Sequence, residues 1–128
     1  MKEIESFLEK IERIMQGQGQ YKFEAYSFIM AALHYTVTKL DKPRHVTGAE
    51  LLDGVRRYAL DQYGALARMV LNYWGIYETL DFGKIVFALV EVGILRKQPN
   101  DKIEDFKDVY NFEQAFDAGY KIEDKDEP

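Results

Sequence analysis

The chain has no cysteine. That absence excludes a disulfide framework, a thiol nucleophile and any cysteine-based zinc site. Histidine is scarce as well: His34 and His45 are the whole supply, in no H-x-x-x-H or H-E-x-x-H spacing, so neither a metal centre nor a bound cofactor is expected. No apolar run approaches the roughly 20 residues that span a bilayer. Residues 1–20 alternate charge with apolar side chains and lack the unbroken core of a signal peptide. These absences lead to the expectation of a cytoplasmic protein with no membrane contact. Catalytic signatures are missing too. There is no G-x-S-x-G, and Gly17-Gln-Gly19 lacks both the third glycine and the preceding strand of a dinucleotide loop. Asp81-Phe-Gly83 matches three letters of a kinase motif in a chain far too short for a kinase. No catalytic residue is assigned.

What is present suits one all-α, compact domain. The 128 residues are 47% hydrophobic and 30% charged, ordinary values for a globular domain near the modal size. Nine Tyr and eight Phe point to a core built largely from rings. The net charge of −5 is uneven: residues 98–128 carry −6, whereas 21–97 carry +2. The domain is expected over residues 1–122, with residues 1–16 as an N-terminal helix joined by the Gly17–Gln20 break. Residues 123–128 read as an acidic tail.

Apolar residues recur at three and four in six segments. The first carries Ile4, Phe7, Leu8, Ile11, Ile14 and Met15. The second, from Phe23 to Leu40, has a face of Ala25, Phe28, Ile29, Ala32, Leu33 and Val37, widened by Tyr26 and Met30, and should be the most central. The third opens on Thr47-Gly-Ala-Glu50, a capping box in which each residue bonds the other's backbone N–H. The fourth carries Leu66, Met69, Val70, Tyr73 and Trp74. The fifth starts near Thr79 with Phe82, Ile85, Val86, Leu89 and Val90, and Asp81 suits its first turn. The sixth is short, capped by Asn111, with Phe112, Ala115, Phe116 and Tyr120. Gly75 and Gly93, each followed by Ile, have the pattern of left-handed glycines that end helices. Gly64 either ends the third helix or kinks a longer one.

Residues 94–110, turning at Pro99-Asn-Asp101, admit a small β-hairpin, although Ile103, Phe106 and Val109 recur every three. Helix four, the turn at Gly75-Ile76, helix five and a hairpin would follow the order of a winged helix. Its reading face would carry Glu78, Asp81, Lys84, Ala88 and Glu91, the wrong charge for phosphate. The cations gather instead over residues 39–57. Arg44, His45, Arg56 and Arg57, with Arg68 near them, are the candidate binding residues. Asp53 and Arg57, four apart, can neutralise one another.

One resemblance covers residues 21–120. Arg44-His-Val-Thr-Gly48, Glu50-Leu-Leu-Asp-Gly-Val-Arg56, Tyr63-Gly64, Trp74-Gly75-Ile76, Asp81-Phe-Gly-Lys-Ile-Val-Phe87 and Val109-Tyr-Asn-Phe112 occur in an order that resembles a conserved-hypothetical family of small bacterial proteins from planctomycete and verrucomicrobial genomes. The resemblance implies a short, standalone bacterial protein. It carries over no activity, cofactor or site residue. The functional expectation is therefore a helical protein-interaction or adaptor domain, self-associating as a homodimer. The alternatives are a nucleic-acid-associated protein using residues 39–57, and a small enzyme with a site near His45.

Overall fold

The computed structural model describes residues 6–17 and 19–118. Five α-helices form the body: α1 Phe7–Gly17, α2 Phe23–Thr38, α3 Gly48–Tyr63, α4 Ala67–Tyr73 and α5 Thr79–Glu91. A 3-10 turn, Gly64–Leu66, joins α3 to α4. Another, Ile103–Phe106, and a π-helical turn, Glu113–Ala118, follow α5. Ile4, Tyr120 and the tail at 123–128 lie outside the described residues.

Each helix begins where local chemistry allows it. Ser6 caps α1: its hydroxyl accepts from the Glu9 N–H at 3.1 Å and the Glu9 carboxylate accepts from the Ser6 N–H at 2.9 Å. Thr47 and Glu50 make the expected box at the head of α3, at 3.1 and 2.9 Å. Asn111 Oδ1 accepts from the Glu113 and Gln114 N–H groups. Gly75 and Gly93 hold φ of 97° and 82°, a region that costs an L-side chain dearly, and they end α4 and α5. Gly64 ends α3 rather than bending it.

α2 is the centre. It packs along α3 and also touches α1 and α5. Ala25, Tyr26, Phe28, Ile29, Ala32 and Thr36 are all buried on it. α1 lays Ile11 and Ile14 onto its own chain. Two ring clusters fill the interior. Phe28 meets Tyr58, Tyr63 and Trp74 at 5.5–6.3 Å. Phe112 meets Phe82 at 5.7 Å and Phe116 at 5.0 Å. Such tilted and edge-on pairs stabilise by about 0.5–1.5 kcal/mol each beyond their area.

Two glycines set how closely elements approach. Gly54 on α3 faces Thr36 on α2, and a Cβ there would overlap the Thr36 hydroxyl. Gly83 on α5 faces Phe106, where a Cβ would lie 2.7 Å from the Phe106 Cβ. The Phe106 ring also covers Gly48 at the head of α3.

That docking explains why the hairpin does not form. Among the described residues there is no strand. The three-residue recurrence of Ile103 and Phe106 winds as a 3-10 turn, whose ring drops into the slot between Gly48 and Gly83. The winged-helix arrangement fails with it. α4 packs on α3 and the C-terminal π-turn, while α5 packs on α2 and the 103–106 turn. The two helices therefore do not form the packed pair that a recognition unit needs.

Asp81 departs from its expected outward place and is buried. Its Oδ1 accepts from the Tyr21 hydroxyl at 2.6 Å, and its Oδ2 accepts from the N–H groups of Tyr77 at 2.8 Å and Glu78 at 3.1 Å. It thus satisfies the head of α5 and ties the loop before α2 to it. Burial, then the bond to Asp81, pushes the Tyr21 phenol well above its ordinary range. The fourth segment departs too. Ala67 and Leu71 are the buried residues of α4, whereas Leu66, Met69 and Tyr73 face outward.

Candidate functional site

A cleft of about 230 Å³ opens beside the loop that precedes α3. Its floor is apolar: Leu33 and Val37 from α2, Leu51 from α3, Val86 and Val90 from α5. Phe106, held in its glycine slot, closes one end, and Leu95 lies where the chain leaves α5. The lips are polar. They carry Arg44, His45 and Thr47 from the segment before α3, and Arg96, Lys97, Asp101 and Asp105 from the chain after α5.

The lips are joined. His45 Nε2 lies 2.8 Å from Asp101 Oδ2, which also accepts from the Gln98 N–H at 2.7 Å. Asp101 therefore fixes the turn after Pro99 and holds it against the 43–48 loop. Arg44 bonds Glu50 through both Nη atoms, at 3.0 and 2.7 Å, and donates to the His45 carbonyl at 3.0 Å. This fork, followed by the bond from the Thr47 N–H, holds the Glu50 carboxyl down to about 2 from an ordinary 4.5. The same pair raises Arg44 above its usual range.

A measurable consequence attends this arrangement. A carboxyl whose folded pKa is depressed contributes its stabilisation above the unfolded pKa and loses it as pH falls through the folded one. The link between the 43–47 loop and α3 should hold at neutral pH and loosen as pH falls from 4.5 to about 2. Side-chain NMR titration of Glu50 should show that low midpoint, and Arg44→Gln should move it back toward 4.5. A Glu50 midpoint near 4.5 in the unaltered protein would contradict the fork.

The five residues singled out from sequence do not converge. Arg44 and His45 share the cleft. Arg56 and Arg57 lie along α3 beside Asp53, with Arg57 Nε 2.9 Å from its carboxylate, and Arg57 borders a separate groove with Tyr35 and Lys39. Arg68 on α4 makes a forked pair with Asp117, at 2.8–3.2 Å. Arg44, Arg56 and Arg57 are thus each set against a carboxylate, while Lys39 lies over the Tyr35 ring. Arg96, Lys97 and Asp101 belong to the cleft and were missed, because only the path of the chain after Gly93 brings them opposite His45.

The second exposed feature is the outer face of α4 together with the end of the 3-10 turn that leads into it. Leu66, Met69, Tyr73 and, past the turn, Tyr77 are 56, 66, 70 and 65% exposed. Lys22 Nζ lies 5.0 Å from the Tyr73 ring centre. Among the described residues no helix is long and apolar enough to cross a membrane.

Comparison with known protein families, with curated proteins and with solved structures yields no match to this chain.

Proposed function

We propose that the protein is a helical protein-interaction module that pairs with a second copy of itself through the outer face of α4. The supporting observation is the stripe Leu66, Met69 and Tyr73, exposed at a spacing of three and four. That spacing is one a–d–a step of a helix-packing seam. A two-fold axis across it sets the Leu66 end of one protomer against the Tyr73 end of its partner, which makes a self-complementary contact. By the usual size of these side chains the stripe exposes roughly 400 Å², within the 300–600 Å² of a functional patch. It is also about half of the ~800 Å² each partner contributes to a standard interface. Arg68 beside it is already engaged by Asp117, and Lys22, the cation at the stripe, lies over the Tyr73 ring. We further propose a bacterial origin, on the sequence resemblance, and a cytoplasmic location, on the pattern of residues 1–20.

Light scattering on the full chain tests the pairing. The expected result is a dimer that dissociates on dilution. Met69→Glu with Tyr73→Glu, both at exposed positions, should give a monomer with unchanged helix content. A monomer at every concentration overturns the proposal.

A further inference from the structure

We propose that the cleft beside His45 is a binding site for a small amphiphilic carboxylate, with its apolar body on the valine and leucine floor and its negative charge at Arg96 and Lys97. The site uses none of α4 and stands independently of the pairing above.

Size comes first. A closed apolar cavity of about 150 Å³ holds a benzene ring. This cleft, at about 230 Å³, is half as large again and open on one side. It suits a substituted ring or a medium alkyl chain and is below the roughly 300–1,000 Å³ of sites for larger ligands. Its floor is contributed by three helices that are fixed elsewhere: α2 against α3 at Thr36 and Gly54, α5 by the Phe106 slot. The cleft is thus preformed, and filling it removes apolar wall from water without reordering the chain.

Charge decides the head group. Of the lip residues, Arg44 is paired with Glu50, and Asp101 is held in place by His45 and the Gln98 N–H, keeping its own negative charge. Asp105 accepts from the Lys102 N–H at 3.1 Å. Arg96 and Lys97 make no ion pair among the described residues. They are adjacent and exposed, on a chain whose overall charge is −5. Two uncommitted cations beside an apolar trough match a ligand with an apolar body and a single anionic end. A guanidinium bonds a carboxylate in a two-pronged geometry that a neutral or cationic head cannot use.

The probes are octanoate, octanol and octylammonium, which share one chain and differ only in head charge. Binding to the full-length protein is followed through backbone amide NMR shifts. Octanoate is expected to move the signals of Val37, Val46, Leu51 and Val90, with octanol about tenfold weaker and octylammonium weaker still. Arg96→Glu with Lys97→Glu, both at exposed positions, should weaken octanoate about tenfold or more and leave octanol unchanged. Leu51→Ala, with folding checked by helix content, should weaken octanoate and octanol alike. Equal binding of all three probes, indifference of octanoate to the charge reversal, shifts confined to residues outside the cleft, or no shifts at all each overturn the proposal.

Discussion

Asp81→Ala is expected to destabilise the protein by about 3–5 kcal/mol, a large share of the 5–15 kcal/mol that holds a typical domain together. The reason is geometric. One buried carboxylate serves three donors: the Tyr21 hydroxyl and the N–H groups of Tyr77 and Glu78. Alanine leaves all three without an acceptor, the Tyr21 hydroxyl in a buried setting, 3% exposed, and the two N–H groups in a part-buried one. Each orphaned group costs about 1–3 kcal/mol, and the head of α5 loses the anion that its dipole favours. Tyr21→Phe should be milder, about 1–2 kcal/mol, because Asp81 keeps both backbone donors. Asp81→Asn should fall between, since an amide offers one acceptor oxygen where the carboxylate uses two. Urea unfolding followed by circular dichroism gives the order. Equal losses for Asp81→Ala and Tyr21→Phe would show that the backbone bonds contribute little.

Gly54→Ala should destabilise by about 2–3 kcal/mol, although Gly to Ala inside a helix ordinarily stabilises by about 1 kcal/mol. The inversion of sign arises at the α2–α3 crossing. The new Cβ would overlap the Thr36 hydroxyl and lie 2.9 Å from the Thr36 Cβ. Thr36 is held in place, buried and donating to the Ala32 carbonyl at 2.7 Å. The helices must separate or the threonine must leave its rotamer. In a Thr36→Ala background the overlap with the hydroxyl is gone and only the 2.9 Å approach to the residue-36 Cβ remains, so the cost of Gly54→Ala should shrink to about 1 kcal/mol or less. Additive effects of the two changes would mean that the contact does not set the spacing.

These two sites mark the limit of what the chain discloses locally. The apolar spacing of α1, α2, α3 and α5 predicted their existence, and the Thr47–Glu50 box, the Asn111 cap and the glycines at 75 and 93 placed several ends. All of these depend on neighbours within a few residues. Asp81 could be read only as a first-turn anion, because Tyr21 lies sixty residues earlier. Of the apolar residues in the fourth segment, Leu66, Met69 and Tyr73 turned out to face water, whereas Trp74 packs on Phe28. Ala67 and Leu71, not the larger Leu66, Met69 and Tyr73, meet α3 and the C-terminal turn.

The candidate site divides in the same way. Arg44 and His45 were legible as unusual residues in a loop before a capped helix. Arg56, Arg57 and Arg68 carried the same charge signal but proved to lie apart from them, each beside a carboxylate. Charge in sequence reports composition, whereas a site needs convergence.

What the sequence by itself determined is the helical class, most helix ends and an aromatic core, since periodicity, capping and side-chain volume act within a turn or two. The tertiary structure decided that residues 94–110 dock as a 3-10 turn rather than pair as strands. It also set Asp101 opposite His45 and left the large side chains of α4 outside. Those outcomes depend on which distant surfaces fit: Phe106 needs Gly48 and Gly83 together, and no local pattern places those two glycines on either side of one ring.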